Sequence, residues 1–392
     1  MMLRFLTAGE SHGLALMTIL DGLPAGLTLA EEIINHELNR RQTGYGAGGR
    51  MKIENDQVRI VAGTMDGKTT GAPLGMLIQN KDHAKWQNKP ISPFTIPRPG
   101  HADLTGAIKF GFEDLRPALE RASARETAAR VAVGAVCKHF LAQFEIKVGG
   151  YVISIGTVHS QLEEDSYEAR FEKAEASDVR CPSAQASSAM HQSIEQAIKA
   201  KDTLGGVIEI VALGVPPGLG SYVQWDRRLE ARLGSVLLSV PAIKGVEFGD
   251  GFKVADMRGS QAQDAIFLQD NRVIRETNHA GGLEGGISNG EPLVMRVAMK
   301  PVATTLSPQQ SVDLAAKKEV RTQYERSDYC PVPRAVPILE SMVAFVLADA
   351  LIEKIGGDSL SEMQPRFKTL RKARLQDLPM DNEAKIFWKK AD

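Results

Sequence analysis

The sequence predicts a mixed α+β fold in one large domain. Many short β-type segments interleave with a few long helical patterns, and no regular strand–helix–strand rhythm recurs. No internal repeat, low-complexity run or clear linker divides the chain. The expected domain spans residues 1–358, and the charged segment 359–392 is expected to be peripheral. At 392 residues the chain can bury one large core.

Residues 4–7 and 15–20 read as strands, the second running into the Gly22-Leu23-Pro24-Ala25-Gly26 turn. A helix follows. Thr28 suits its cap, Glu31 and Glu32 its first turn, and Ile33, Ile34 and Leu38 recur at helical spacing before Arg40 and Arg41 close it. Residues 58–62 and 74–79 are strand-like, and 81–100 is a long polar loop broken by four prolines. One helix is expected over 113–144, with Leu115, Leu119, Ala122, Val131, Ala135 and Phe140 near one face and Pro117 near its start. Beyond it come a strand at 151–158 and a polar surface excursion at 161–183. Helices are expected at 186–199, 227–238 and 336–354, and strands at 206–213, 265–268 and 292–299.

Lys and Arg number 47 against 48 Asp and Glu, so no global field favours nucleic acid or an anionic membrane, and any anion needs a local cluster. Glu10 interrupts the N-terminus before an apolar segment of signal length builds up. The longest apolar stretch, near 342–352, carries Asp349 and is too short to span a bilayer. A cytoplasmic protein is the resulting expectation. Cys137, Cys181 and Cys330 are far apart and form no CxxC pair, which points to buried free thiols and to no metal site.

Three motif matches fail in context. Gly44-Tyr-Gly-Ala-Gly-Gly49 fits GxGxxG, but a helix precedes it and a strand is expected after it, the reverse of a dinucleotide site. Gly63-Thr-Met-Asp-Gly-Lys-Thr69 has three residues between its glycines where a P-loop has four, and Pro73 opposes the helix. His36-Glu37 has Arg40 where a second histidine should stand.

Other constellations keep their chemical reading beside a plainer one. Gly9-Glu10-Ser11-His12-Gly13 sets an imidazole between small residues at a strand exit, either a proton-exchanging group in a cleft or a surface turn. In Pro97-Arg98-Pro99-Gly100-His101-Ala102-Asp103, two prolines fix the backbone around Arg98 and Gly100 permits a bend into His101; an anion site and an ordinary proline-rich loop both fit. Arg121 and Arg125 lie one helical turn apart with Ser123 and Thr127 near them, as an anion grip or a salt-bridged solvent face. Residues 278–290 pack five glycines into a loop that lets backbone amides approach a flat ring or a phosphate. Lys300, Thr304, Thr305, Arg326 and Asp328 add a cation, hydroxyls and an Arg-x-Asp pair. Together with Arg40, Arg41, Arg50, Arg98, Arg121 and Arg125 they suggest one polyanionic site in a chain that is net acidic.

The ordered set GESHG, RRQTGYG, NKDH, RPGHADL, ERASARET, SVPAIKGVEFGDGF, NHAGGLEGGISNG, KPVAT and ERSD closely resembles the chorismate synthase family, from about residue 3 to 356. The resemblance implies a homotetramer whose protomer sandwiches helices between antiparallel β-sheets. It also implies a lyase that uses reduced FMN for the 1,4-anti elimination of phosphate from 5-enolpyruvylshikimate 3-phosphate, giving chorismate. By matching motifs, FMN contacts fall on Ala122, Ser123, Ala124, Pro241, Ala242, Gly285, Lys300, Pro301, Val302, Ala303, Thr304 and Arg326, and substrate anions on Arg41, Arg50, Arg98 and Arg125. In the family's usual account the reduced flavin lends electron density, phosphate leaves, and the flavin N5 region accepts the C6 hydrogen. His12 then protonates the departing phosphate, His101 protonates or stabilises the reduced flavin, and Asp328 assists proton movement at N5.

Two departures stand out. Ala122 replaces the first serine of the family's RSSARET, and Ala47 stands where many relatives carry an arginine associated with NADP binding. The implied electron source is therefore a separate flavin reductase or another external reductant. The rival readings are a nicotinamide or flavin oxidoreductase, suggested by the glycine-rich loops, and an RNA-binding module, against which the near-zero net charge weighs.

Overall fold

The computed structural model describes residues 2–47, 55–323 and 328–388. In chain order the elements begin with β1 (Arg4–Ala8), β2 (Ala15–Asp21), α1 (Glu31–Gln42), β3 (Val58–Ala62), β4 (Thr64–Met65), β5 (Lys68–Thr69), β6 (Leu74–Gln79), α2 (Asp103–Phe110), α3 (Arg116–Ala122) and α4 (Thr127–Ala142). They continue with β7 (Lys147–Ile155), β8 (Val158–His159), α5 (Tyr167–Glu175), α6 (Ala184–Lys199), β9 (Gly206–Leu213), α7 (Leu229–Leu238), β10 (Ile243–Phe248), α8 (Gly259–Ala262), β11 (Ile266–Gln269) and β12 (Arg272–Arg275). The last are β13 (Leu283–Glu284), β14 (Ile287–Ser288), β15 (Leu293–Met299), β16 (Gln310–Asp313), β17 (Lys318–Arg321), α9 (Val332–Ile355) and α10 (Leu360–Lys368).

Among the described residues two antiparallel sheets dominate, in the orders β1-β2-β6-β3 and β10-β15-β9-β7-β8. Helices α1, α4 and α9 fill the space between them, α4 packing on β2 and α9 on β7 and β9. This is the expected sandwich of helices between antiparallel sheets. In β2, Leu16 and Leu20 face the helices while Met17 and Ile19 face out, the period of two that a one-sided sheet requires. The middle helix has no solvent face. Helix α9 is long and apolar enough to cross a membrane, longer than its sequence suggested, yet 94% of its apolar window is buried in the fold. A Cβ on Gly134 of α4 would overlap Ser341 of α9, so this glycine sets how closely the two helices cross.

Local differences from expectation have local causes. The helix expected over 113–144 is broken at Ser123, whose backbone is extended (φ −64°, ψ 141°) and whose hydroxyl accepts from the Arg125 N–H. The proline-broken loop ends in α2, which has Asp103 in its first turn and Gly111 in the left-handed region as its stop. The polar excursion at 161–183 holds α5, which buries Phe171 and Ala174. The segment from Ser359 is not wholly peripheral, because α10 buries Leu360 and Met363 and packs Phe367 edge-on against Phe144. Residues 63–69 form the β4–β5 hairpin, turning at Asp66 and Gly67, and so cannot cradle a phosphate as a P-loop does. Cys137, Cys181 and Cys330 are free and buried, as expected.

Candidate active site

The loop between β1 and β2 carries His12 and docks onto α3. Ser11 N donates to the Glu120 carbonyl at 3.2 Å, and the Ser11 and Ser123 hydroxyls lie 3.1 Å apart. Glu120 accepts from His12 twice, Oε2 from the backbone N–H and Oε1 from ring Nδ1, each at 2.8 Å. Burial alone would raise the Glu120 pKa, but the hydrogen bonds and charge of His12, with Arg116 behind them, outweigh burial and hold it below the usual range. Nδ1 therefore donates to a carboxylate, and Nε2 remains the ring position that can exchange a proton. The Trp86 ring packs tilted against the imidazole, with centroids 4.2 Å apart. Arg116 lies 5.6 Å from the Trp86 ring centre and 5.7 Å from that of Phe94, and Arg98 also lies over Phe94, at 5.7 Å. Alternating rings and cations thus join His12 to the second histidine loop.

That loop is organised by Asp103, whose side chain is fully buried. Its carboxylate accepts Arg98 Nε at 2.8 Å, Arg98 Nη2 at 2.9 Å and His101 Nδ1 at 2.6 Å. Burial pushes its pKa up, but the bonds from Arg98 and His101 prevail and keep it far below the ordinary carboxylate range. The KPVAT segment closes over this loop. Lys300 Nζ donates to the Gly100 carbonyl at 2.7 Å, Ala303 sits beside Gly100, and Arg98 Nη1 reaches Thr304 Oγ1 at 3.3 Å. Val302 is fixed through its carbonyl to Thr203, and exposed Pro301 follows Lys300. The turn Pro241-Ala242 meets the same segment, Ala242 accepting from Lys300 N at 2.9 Å. Ala242 has φ +70°, a strained backbone of the kind that gathers at ligand sites.

A third cluster lies under Ser123. Asp56 holds two buried guanidiniums, Arg125 Nη1 at 2.6 Å and Arg41 Nη1 at 3.4 Å. Arg125 Nε donates to Asn80 Oδ1 at 2.8 Å, and Asn80 Nδ2 donates to the carbonyls of Glu10 and Gly13, which ties this cluster to the His12 loop. Arg41 also donates to Thr127 Oγ1 and to the Ala124 carbonyl. Burial, only partly opposed by Asp56 and reinforced by Arg334 and Arg125, pushes the Arg41 pKa down to about 9. Burial and the neighbouring cations thus act against the charge on Arg41, and Asp56 and Asp328 act for it. Asp328 adjoins it, paired with Arg334, whose Nε donates to the Arg41 carbonyl at 3.1 Å.

His12, Ser123, Ala124, Arg41, Arg125 and Asp328 thus belong to one connected region, and Arg98, His101, Ala242, Lys300 and Thr304 to another that Phe94 and Trp86 bridge to it. Ala122 ends α3 beside Ser123. Gly285 turns the β13–β14 hairpin at φ +61°, with open space where a Cβ would stand, and that hairpin bonds to the start of α7. Arg50 and Arg326 lie outside the described residues.

The arginines first grouped into one site divide. The break at Ser123 turns Arg121 outward onto Thr7 while Arg125 turns inward, so they do not form a joint grip. Arg40 belongs to a network with Glu37, Glu175 and Glu340 in the helix layer. Sequence reasoning missed Glu120, Asp103, Asp56, Asn80, Trp86 and Phe94. Asp103 was visible two residues after His101, and Glu120 in the motif that precedes Ser123; Asp56 carries no local signal.

A family model described as chorismate synthase matches residues 3–352. A chorismate synthase of Aquifex aeolicus (strain VF5) is 51% identical over 384 residues, covering 93% of this chain and 96% of the relative. One of Symbiobacterium thermophilum is also 51% identical, over 385 residues, covering 93% and 98%. A crystal structure of chorismate synthase superposes with a TM-score of 0.77 at 44% identity, covering 94% of this chain and 97% of that one. With a match of this extent, the chain belongs to the chorismate synthase family.

Proposed function

We propose that this chain is a lyase that eliminates phosphate from 5-enolpyruvylshikimate 3-phosphate to give chorismate, the last common step of the shikimate pathway. The observation that carries the reading is the pairing of two partly buried imidazoles, His12 and His101, each with Nδ1 held by an ionised carboxylate, next to the buried guanidiniums of Arg41 and Arg125. The elimination breaks the bond from carbon to phosphate oxygen and the C6–H bond. It needs groups that neutralise three anions and groups that move protons.

Arg41, Arg125 and Arg50, the last outside the described residues, are proposed to neutralise substrate charge. Arg98 contributes its charge and its Nη1 edge, because Asp103 occupies the other edge of its fork. His12 Nε2 is the proposed donor to the departing phosphate, and Glu120 steadies the imidazolium in that role. Asp328 is proposed to assist proton movement.

The residues also fit a flavin nucleotide. A cation at Lys300, a hydroxyl at Thr304, an imidazole at His101 and the strained Ala242 turn line one place, and the glycine turn at Gly285 leaves room for a close approach. Pro301, Val302, Ala303, Pro241, Ala122, Ser123, Ala124 and Arg326 complete the proposed FMN contacts. Bound reduced FMN supplies the electron density that this elimination requires without net redox change. His101 is proposed to hold a proton against that cofactor. A homotetramer in the cytoplasm, with a separate reductase or other external source of reduced flavin, completes the proposal; the exposed outer residues Leu6, Met17, Ile19 and Val61 suit subunit contact.

The test is phosphate release from 5-enolpyruvylshikimate 3-phosphate under anaerobic conditions, with photoreduced FMN, oxidised FMN and no flavin in parallel. Release with chorismate formation under reduced FMN alone is the expected result. Absence of release from a folded, flavin-binding protein would overturn the reading, and net NAD(P)H consumption would favour the oxidoreductase.

A further inference from the structure

We propose that Asp103 is the positioning residue for both Arg98 and His101, fixing which edge of the guanidinium stays open and which ring nitrogen of the imidazole carries the proton. The role of His101 in chemistry rests on the function proposed above; the placement of both side chains rests on geometry alone.

Asp103 opens α2, where the unpaired N–H groups of the first turn favour an ionised carboxylate. Oδ2 accepts the Arg98 backbone N–H at 3.1 Å and Arg98 Nε at 2.8 Å, while Oδ1 accepts Arg98 Nη2 at 2.9 Å and His101 Nδ1 at 2.6 Å. A carboxylate has about four acceptor sites, so these four donors saturate it. Two consequences follow from the bonding. The Nε–Nη2 edge of Arg98 is closed to any ligand, and only the Nη1 side, at Thr304, stays available. Because a carboxylate can only accept, the His101 proton sits on Nδ1 whenever the ring is neutral, and Nε2, 3.3 Å from Arg98 Nη2, is left as the acceptor nitrogen. Gly100, at φ +74°, makes the bend that brings His101 back to the carboxylate, and the Lys300 ammonium closes over its carbonyl.

Asp103→Asn keeps the shape but replaces one acceptor with an NH2 donor. That donor opposes either Arg98 or His101 Nδ1, and the conflict is relieved when the imidazole moves its proton to Nε2. The wrong tautomer in a comparable carboxylate–histidine pair lowers turnover by about 10⁴-fold without disturbing the fold. Here we expect kcat to fall about 10²–10⁴-fold, with a much smaller change in KM. Asp103→Glu retains the acceptor and should recover part of the loss.

The experiment is ¹⁵N NMR of the full chain with labelled histidine. His101 is assigned by its loss in His101→Gln, and the spectra are followed until the ring is neutral. The proposal expects Nδ1–H in the natural protein and a shift to Nε2–H in Asp103→Asn, with the fall in kcat. An Nε2–H tautomer in the natural protein would overturn it, even if Asp103→Asn failed to fold. An unchanged tautomer in a folded Asp103→Asn, or a shifted tautomer with undiminished kcat, would overturn it too. The tautomer is read without substrate or flavin, so its shift in a protein that releases no phosphate would count against the proposed function and leave this placement standing.

Discussion

Glu120 grips His12 by both its backbone N–H and its ring Nδ1, at 2.8 Å each. One carboxylate thus fixes both the loop and the orientation of its imidazole. Replacing Glu120 with Gln keeps the volume and removes the charge that favours an imidazolium. We expect kcat for phosphate release to fall at least about 10²-fold, the low end of what a misplaced general acid costs, with KM changing little. The effect on stability has a definite sign. The Glu120 pKa is held below its ordinary 4.5, so its contribution is fully present above that value and is lost as pH falls through the folded value. Urea unfolding should therefore separate the natural protein from Glu120→Gln at neutral pH, and the gap should narrow as pH falls below 4.5 through the folded value. A gap that stays constant with pH would contradict this.

Arg41 and Arg125 both contact the carboxylate of Asp56, Arg125 the more closely, which makes the three unequal partners. Asp56→Asn removes the charge that both buried guanidiniums contact and should cost about 3–5 kcal/mol in urea unfolding. Arg41→Met should cost less, because Asp56 keeps Arg125. Urea unfolding of both variants beside the natural protein is the readout, and an Arg41→Met loss as large as that of Asp56→Asn would contradict this order.

These residues also show how far the sequence could be read. Periodicity locates β6, β9, β15 and α9 because each has a largely apolar face toward the core. It ran α3 into α4 because the break at Ser123 comes from a side chain that competes for the Arg125 N–H, a contact that apolar spacing does not register. The ordered motifs mark His12, Arg98, His101 and Asp328 but give no role to Glu120 and Asp103, the carboxylates that hold the two imidazoles. A carboxylate near a histidine in sequence is as often a surface charge. Only burial separates Asp103, fully enclosed, from the other acidic residues around it. Asp56 meets Arg125 across 69 positions, a pairing that no local pattern could indicate.

Ala47 offers no cation at the end of the described part of the Gly44 loop, whose first half is pinned by Tyr45 N to Asp178 and by the Gly46 carbonyl to Tyr329 and Cys330. A pinned, uncharged stretch is poorly suited to bind the phosphates of a nicotinamide dinucleotide. We therefore expect no NADPH oxidation above background when the purified protein is mixed anaerobically with FMN and NADPH and followed by absorbance. The same sample should turn over substrate once FMN is photoreduced. Sustained NADPH oxidation that depends on the protein would show that the chain reduces its own flavin.

Glu340 tests the opposite case, a buried charge that serves the fold and not the site. In the helix layer it accepts Arg40 Nη1 at 2.7 Å, Arg40 Nη2 at 3.0 Å and Lys138 Nζ at 2.8 Å, while Glu37 bridges the same two cations. Burial works to raise its pKa, yet the charges of Arg40 and Lys138 hold it below the ordinary range. Glu340→Gln leaves those cations underpaired between the two sheets and should cost about 3 kcal/mol or more. The double variant Glu340→Leu with Lys138→Met removes one charge of each sign and should be less destabilised than the sum of its single changes, a coupling that a double-mutant cycle measures. Turnover per folded molecule should stay near normal in Glu340→Gln and fall in Asp56→Asn, although both remove a buried carboxylate that holds two cations. If Glu340→Gln lost turnover while still folded, the helix layer would have to be counted as part of the site, and the division of the arginines between fold and chemistry would fail.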